Sequence, residues 1–186
     1  MGNIEHRYII KVIPDSEVQG YLFLSKGHSP YKDMLKVIQY EYIRDFNDKS
    51  VHNLGFGNFE VGTGEIHDGA MTDNGDVYKI FNTVLSSVSL FYERYPRGII
   101  LVQGSDGSQD FEAACRLNCL KNCTTVCHKF NRRMKLYCNY LSRKIDIFES
   151  GYQFLGGIKN TANWFDLEVF VPGKLYDAIM ISQKNV

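Results

Sequence analysis

The sequence predicts an α+β fold: a single domain over residues 1–186, with two principal helices packed on a twisted, mainly antiparallel sheet. Three observations predict it. Strand-like stretches come first, then helix, strand and helix, then strands again. Residues 77–95 carry the clearest helical periodicity in the chain, and 98–103 is a continuous apolar run. Twelve Tyr and twelve Phe supply side chains suited to half-buried sheet positions. A hydrophobic share of 44% and 186 residues are enough to bury a full core.

Taken in order, 7–13 (Arg-Tyr-Ile-Ile-Lys-Val-Ile) reads as a first strand closed by Pro14-Asp15, and 21–24 as a second, bounded by Gly20 and Gly27. Residues 34–43 form a longer strand, with Leu35 and Val37 on one face and Ile38, Tyr40 and Tyr42 on the other. A polar loop spans 45–49. Residues 51–61 are strand-like, and Gly55 and Gly57 mark a bulge or a close backbone approach. Gly62-Thr63-Gly64 turns the chain, and Glu65-Ile66 begin a short strand.

In the helix over 77–95, Val77, Ile80, Phe81, Val84, Val88, Phe91, Tyr92 and Tyr95 recur at steps of three and four, with Asn82, Ser86, Ser87, Ser89 and Glu93 mostly between them. Thr72-Asp73-Asn74-Gly75-Asp76 supplies side-chain acceptors for first-turn amides, and Pro96 stops the helix. Val84, Val88, Phe91, Ile100 and Val102 are expected in the core. The strand 98–103 is continuous enough to be covered on both faces and ends at Gly104-Ser105-Asp106-Gly107. A second helix starts near Ser108 and reaches at least Asn122. Lys135–Leu141 is expected to be a strand with Leu136 and Cys138 inward. Ser150-Gly151 and Gly156-Gly157 bracket a mobile-looking segment, Phe165–Val171 reads as a strand or the approach to one, and Tyr176–Ser182 closes the sheet.

Composition narrows the class. No run of 18 apolar residues exists, so no membrane span is expected. The start Met-Gly-Asn-Ile-Glu-His-Arg lacks the apolar core of a signal peptide, and His6 stands where a myristoylation signal has Ser or Thr. Five cysteines, none in a Cys-x-x-Cys pair, fit reduced thiols in a cytoplasm better than a disulfide framework. Net charge is zero, yet 113–145 contains no Asp or Glu and eight cations: Arg116, Lys121, Lys129, Arg132, Arg133, Lys135, Arg143 and Lys144. Such asymmetry suggests an anionic partner for one face; the plainer reading is a solvated basic face, or one paired with the protein's own acidic part. With 135–141 as a strand, the basic groups at its two ends lie roughly 20–25 Å apart, and Tyr137 or Tyr140 offers a stacking face to a single-stranded nucleic acid.

Three constellations bear on chemistry. His67, Asp68, Asp73 and Asp76 lie within ten residues and include the carboxylates and imidazole that acid–base or divalent-metal chemistry needs. Turn and cap chemistry satisfies the same spacing, and no metal motif is matched. Cys115, Cys119, Cys123 and Cys127 recur every fourth residue, but on one helix the first and last lie about 18 Å apart, so they cannot share an ion. Buried apolar positions explain them better. The 104–107 corner has exposed amides for an anion but lacks the lysine of a phosphate loop, and Ser105 has no evident His and acid partners. No cofactor and no metal are expected.

The chain resembles a small bacterial family of unknown function, domain of unknown function 6934. The resemblance lies in Asn53–Asn58, Glu65–Asp68, Thr72–Asp76 with the helix that follows, Tyr95-Pro96, Gly104-Ser105 and Tyr176–Ile181, in that order over roughly residues 20–183. Members commonly continue Phe-Gly-Asp, where this chain has Phe56-Gly57-Asn58. Members also tend to follow Gly-Ser with an Arg-rich helix start, where Gln109, Asp110 and Glu112 stand here and only Arg116 remains. The family implies the α+β fold and a cytoplasmic setting, and brings no activity. The expected function is a cytoplasmic bacterial interaction module for a protein or nucleic-acid partner, in the manner of a defence or toxin–antitoxin locus. The alternative is an enzyme acting on a phosphate-containing substrate through Asp68, Asp73 or Asp76 and the 104–107 corner. Oligomeric state is not legible.

Overall fold

The computed structural model describes residues 6–14, 18–27, 29, 32–67, 74–117, 123, 127–162 and 164–184. Within them the α+β expectation holds: mostly antiparallel strands with four helices. The chain forms two compact units, Met1–Gly98 and Ile99–Val186. No described helix is long and apolar enough to cross a membrane.

The first unit is an antiparallel meander of β1 (Lys11–Val12), β2 (Gln19–Ser25), β3 (Met34–Phe46) and β4 (Lys49–Phe59), with β5 (Ile66–His67) paired to β4. The expected first strand shrinks to two residues. Ile9 and Val12 are exposed, and Tyr8 leaves the sheet to donate its amide to Thr83 Oγ1 at 2.8 Å. The loop at 45–49 is a tight turn in which Asn47 and Asp48 both take positive φ, 50° and 57°, the conformation a two-residue hairpin requires. Cross-strand partners share a face, so the rows Tyr21–Ile38–Phe56 and Phe23–Lys36–Asn58 point the same way.

Helix α1 (Val77–Arg94) covers that face, as its periodicity predicts. It buries Ile80, Phe81, Thr83, Ser87, Val88, Phe91 and Tyr92, each large side chain contributing about 1.5–3 kcal/mol before entropy. Val84 is half-buried rather than core, and Val77 is exposed. Ser87 is a correction of another kind. It sits in the buried stripe, where its hydroxyl meets Tyr40 Oη at 2.7 Å and donates to the Val84 carbonyl at 2.6 Å. A hydroxyl satisfied by its own helix costs little to bury.

The second unit contains β6 (Ile99–Gln103), α2 (Gln109–Leu117), α3 (Arg132–Ser142), α4 (Ile145–Phe148), β7 (Tyr152–Lys159), β8 (Phe165–Val169) and β9 (Ala178–Gln183), its strands ordered β6-β9-β7-β8. Ile99, Ile100 and Leu101 are buried, while Val102 is half-buried. Helix α2 is described to Leu117, and its expected extension to Asn122 lies outside the described residues.

Two expectations fail in this unit. The proposed strand 135–141 is α3. Met134, Cys138 and Leu141 recur at helical steps and are buried, while Leu136 is exposed. The segment with Gly156 and Gly157 is the ordered strand β7. A Cβ at Gly156 would lie 2.2 Å from the Tyr176 ring, and one at Gly157 would lie 2.9 Å from Phe165. These glycines admit aromatic rings onto the sheet rather than loosening the chain.

Candidate functional site

The polar residue that begins α1 does not cap it. Asp76 makes no side-chain bond to a first-turn amide. Its Oδ2 instead accepts from Tyr8 Oη at 2.8 Å and from Ser25 Oγ at 2.6 Å, and its buried Oδ1 has no partner among the described residues. Asp68 and Asp73 lie outside the described residues, so their capping and catalytic readings are not placed. Beside Asp76 stands a residue that sequence reasoning passed over. Lys36 is 4% exposed, donates to Asn58 Oδ1 at 2.5 Å, and lies 5.4 Å from the centroid of the Phe56 ring. Burial holds its ammonium below the ordinary lysine range, and the Asp76 charge opposes that shift. Burial and Asp76 together raise the Tyr8 phenol. The signal for Lys36 was legible: it alternates with Ile38 and Tyr40, both core positions of β3.

His67 belongs to a different cluster, on the β4–β5 hairpin. Its Nε2 lies 3.0 Å from Glu60 Oε2 and 3.5 Å from Glu65 Oε2. The three ligand atoms fall within 4.8 Å of one another, all are exposed, and no further ligating side chain joins them among the described residues. That is part of a divalent-cation shell and no more.

In the second unit the carboxylate of the 104–107 corner ties that corner to the start of α3. Asp106 is 5% exposed, and its Oδ2 accepts from the Arg133 amide at 3.0 Å. Its backbone carbonyl accepts from the Asn131 amide at 2.8 Å. The Arg133 guanidinium donates to Ser105 Oγ. A carboxylate placed at the start of α3 complements the positive end of that helix and takes up its Arg133 amide.

The basic residues divide. Arg116 pairs with Glu112 along α2 at 2.7 Å, which draws that carboxyl below its usual range. Lys129 and Lys144 are half-buried, and Arg133 is engaged at the corner. Arg132 and Lys135 are exposed on α3 and Arg143 is exposed at its C-terminal cap, on one face with Leu136 and Asn139. Lys121 lies outside the described residues. Because this element is a helix, the two basic ends stand about 16 Å apart rather than 20–25 Å. Tyr140 is 7% exposed, and burial pushes its phenol up to about 12. It offers no stacking face, and Tyr137 is half-buried.

Cys127 and Cys138 are buried, Cys115 and Cys123 half-buried, and all four are free thiols. Cys119 lies outside the described residues.

A profile described as a family of unknown function (DUF6934) matches residues 5–110. That is more than half of the chain. The protein belongs to this family. The DUF6934 stretch holds the whole Tyr8–Ser25–Lys36–Asn58–Asp76 cluster, the Glu60–Glu65–His67 hairpin and the 104–107 corner, whereas α3 and the closing segment Tyr176–Ile181 lie beyond it. No curated protein and no solved structure matches the chain significantly.

Proposed function

We propose that this DUF6934 protein is a cytoplasmic bacterial interaction module whose α3 face binds an acidic partner protein. The carrying observation is the exposed stripe Arg132, Lys135 and Arg143 around Leu136 on a helix with no acidic residue. A cationic helix face with one apolar anchor suits an acidic protein surface, because long-range attraction steers the encounter and the leucine gives up water on contact. Burial of Tyr140 favours a protein over a single-stranded nucleic acid, which needs aromatic platforms. A defence or toxin–antitoxin setting belongs to the same proposal. Against an enzyme working through Asp76 and the 104–107 corner, the Asp76 Oδ2 already accepts two hydroxyls and the Asp106 carboxylate already accepts the Arg133 amide of α3.

The test is a fluorescence-anisotropy titration of the full chain against poly-glutamate, single-stranded RNA and duplex DNA at several salt concentrations. Poly-glutamate should bind at low salt, and Lys135→Glu should abolish that binding. Preferred binding of RNA or DNA, with log affinity falling linearly against log salt, would replace the protein partner with a nucleic acid. Binding to none of the three at low salt sinks the module reading.

A further inference from the structure

The acid-free stretch 113–145 has a mirror image in the chain. From Ser50 to Tyr78 there is no Lys or Arg, while Glu60, Glu65, Asp68, Asp73 and Asp76 fall in the same span. Of these, Asp76 is committed to Tyr8 and Ser25. Glu60 and Glu65 stand exposed on the β4–β5 hairpin, facing the same His67. Two apolar side chains accompany them: Val61 is 76% exposed and Ile66 is 40% exposed. On α3 the pattern is reversed in sign, with Leu136 43% exposed among Arg132, Lys135 and Arg143. Arg132 and Lys135 make no ion pair among the described residues.

We infer that the acidic partner of α3 is a second copy of this chain, docking through its β4–β5 hairpin. The inference rests on the α3 reading above and names its occupant. Glu60 and Glu65 of one copy face Arg132 and Lys135 of the next, and Leu136 of that helix covers Val61 and Ile66. The hairpin belongs to the first unit and the helix to the second, so a contact between unlike elements of two copies is head-to-tail. Each copy keeps one free hairpin and one free helix until the assembly closes into a ring or continues as a chain. The occupant follows from charge and apolar complementarity together: each patch places carboxylates or cations around exposed aliphatic groups, the hairpin lies in a stretch without Lys or Arg, and α3 lies in one without Asp or Glu. Exposed pairs of this kind are screened by salt, which makes the association tunable.

Sedimentation velocity on the full chain tests it. In low salt the sedimentation coefficient should rise with protein concentration, and it should return to the monomer value in about 0.5 M sodium chloride, where screening acts over a few ångströms. Arg132→Glu with Lys135→Glu should weaken self-association by at least about tenfold, as should Glu60→Lys with Glu65→Lys. Mixing the two reversed proteins should restore association, because each then supplies the surface the other lacks. All four positions are exposed, and circular dichroism verifies that the variants are folded. A wild-type protein that stays monomeric at low salt overturns the inference. So does a mixture of reversed variants that associates no better than either alone. If poly-glutamate binding by α3 survives such a result, the interaction-module reading stands and only the second copy is lost.

Discussion

Lys36 is a cation placed where cations are costly, and its environment sets a measurable sign. Its folded pKa lies below its unfolded one because burial penalises the ammonium form. Between the lowered value and the ordinary lysine value of 10.5 the unfolded chain holds more proton than the folded one, so stability rises with pH across that window. Buried tyrosines act oppositely. Tyr140, pushed up to about 12, withdraws stability once pH passes the unfolded tyrosine value of 10.0. Urea unfolding followed as pH rises towards 10.0, below the range where the tyrosines act, should therefore show a rising contribution that Lys36→Met removes. An unchanged slope in the Met variant refutes it. Asn58→Asp should raise the folded pKa of Lys36, since a carboxylate then faces the ammonium where an amide does now. Asp76 supports a second prediction. Asp76→Ala should cost about 1–3 kcal/mol through two orphaned hydroxyls, and a double-mutant cycle with Tyr8→Phe should show coupling. Strict additivity would return Asp76 to a helix-end role.

At the scale of elements, α1 and α3 make opposite cases. The apolar stripe of α1 is long enough that no strand register fits it, and Val88 is 3% exposed within it. Val88→Asp should prevent folding, because it buries a charge without a partner; a variant that melts like the wild type would overturn this packing. In α3 the order of two substitutions decides between helix and strand. Met134, 1% exposed, should not tolerate Asp, at about 3 kcal/mol or more. Leu136, 43% exposed, should change stability by no more than about 0.5–1 kcal/mol. A strand with Leu136 and Cys138 inward demands the reverse, and guanidinium melts of the two variants separate the cases.

For the molecule as a whole, thiol accessibility samples the second unit from several sides. Cys127 and Cys138 are buried, and burial raises the Cys138 thiol, which lowers its thiolate fraction further. A thiol reagent applied to the native protein should label Cys115 and Cys123 first and leave Cys127 and Cys138 until denaturant is added. Immediate labelling of Cys138, read by peptide mass spectrometry, would contradict the packing of α3 on its unit. The family match bears on the same scale: it ends at residue 110, so α3 and the strands after it are not part of the matched domain.

What the sequence determined by itself was local and periodic. The steps of three and four in α1, the continuous apolar run of β6 and the Gly62-Thr63-Gly64 turn each act over a few residues, and each fixes its own geometry. Lys36 could have been read the same way, from its alternation with Ile38 and Tyr40. Tertiary structure decided the rest. The segment 132–142 lacks a long apolar stripe, so its helix depends on packing Met134, Cys138 and Leu141 rather than on propensity. Asp76 had two partners to choose from, its own helix amides or hydroxyls 51 and 68 residues away in sequence. Which one wins depends on where β2 and the Tyr8 segment bring Ser25 and Tyr8, a long-range outcome that no local pattern in the chain records.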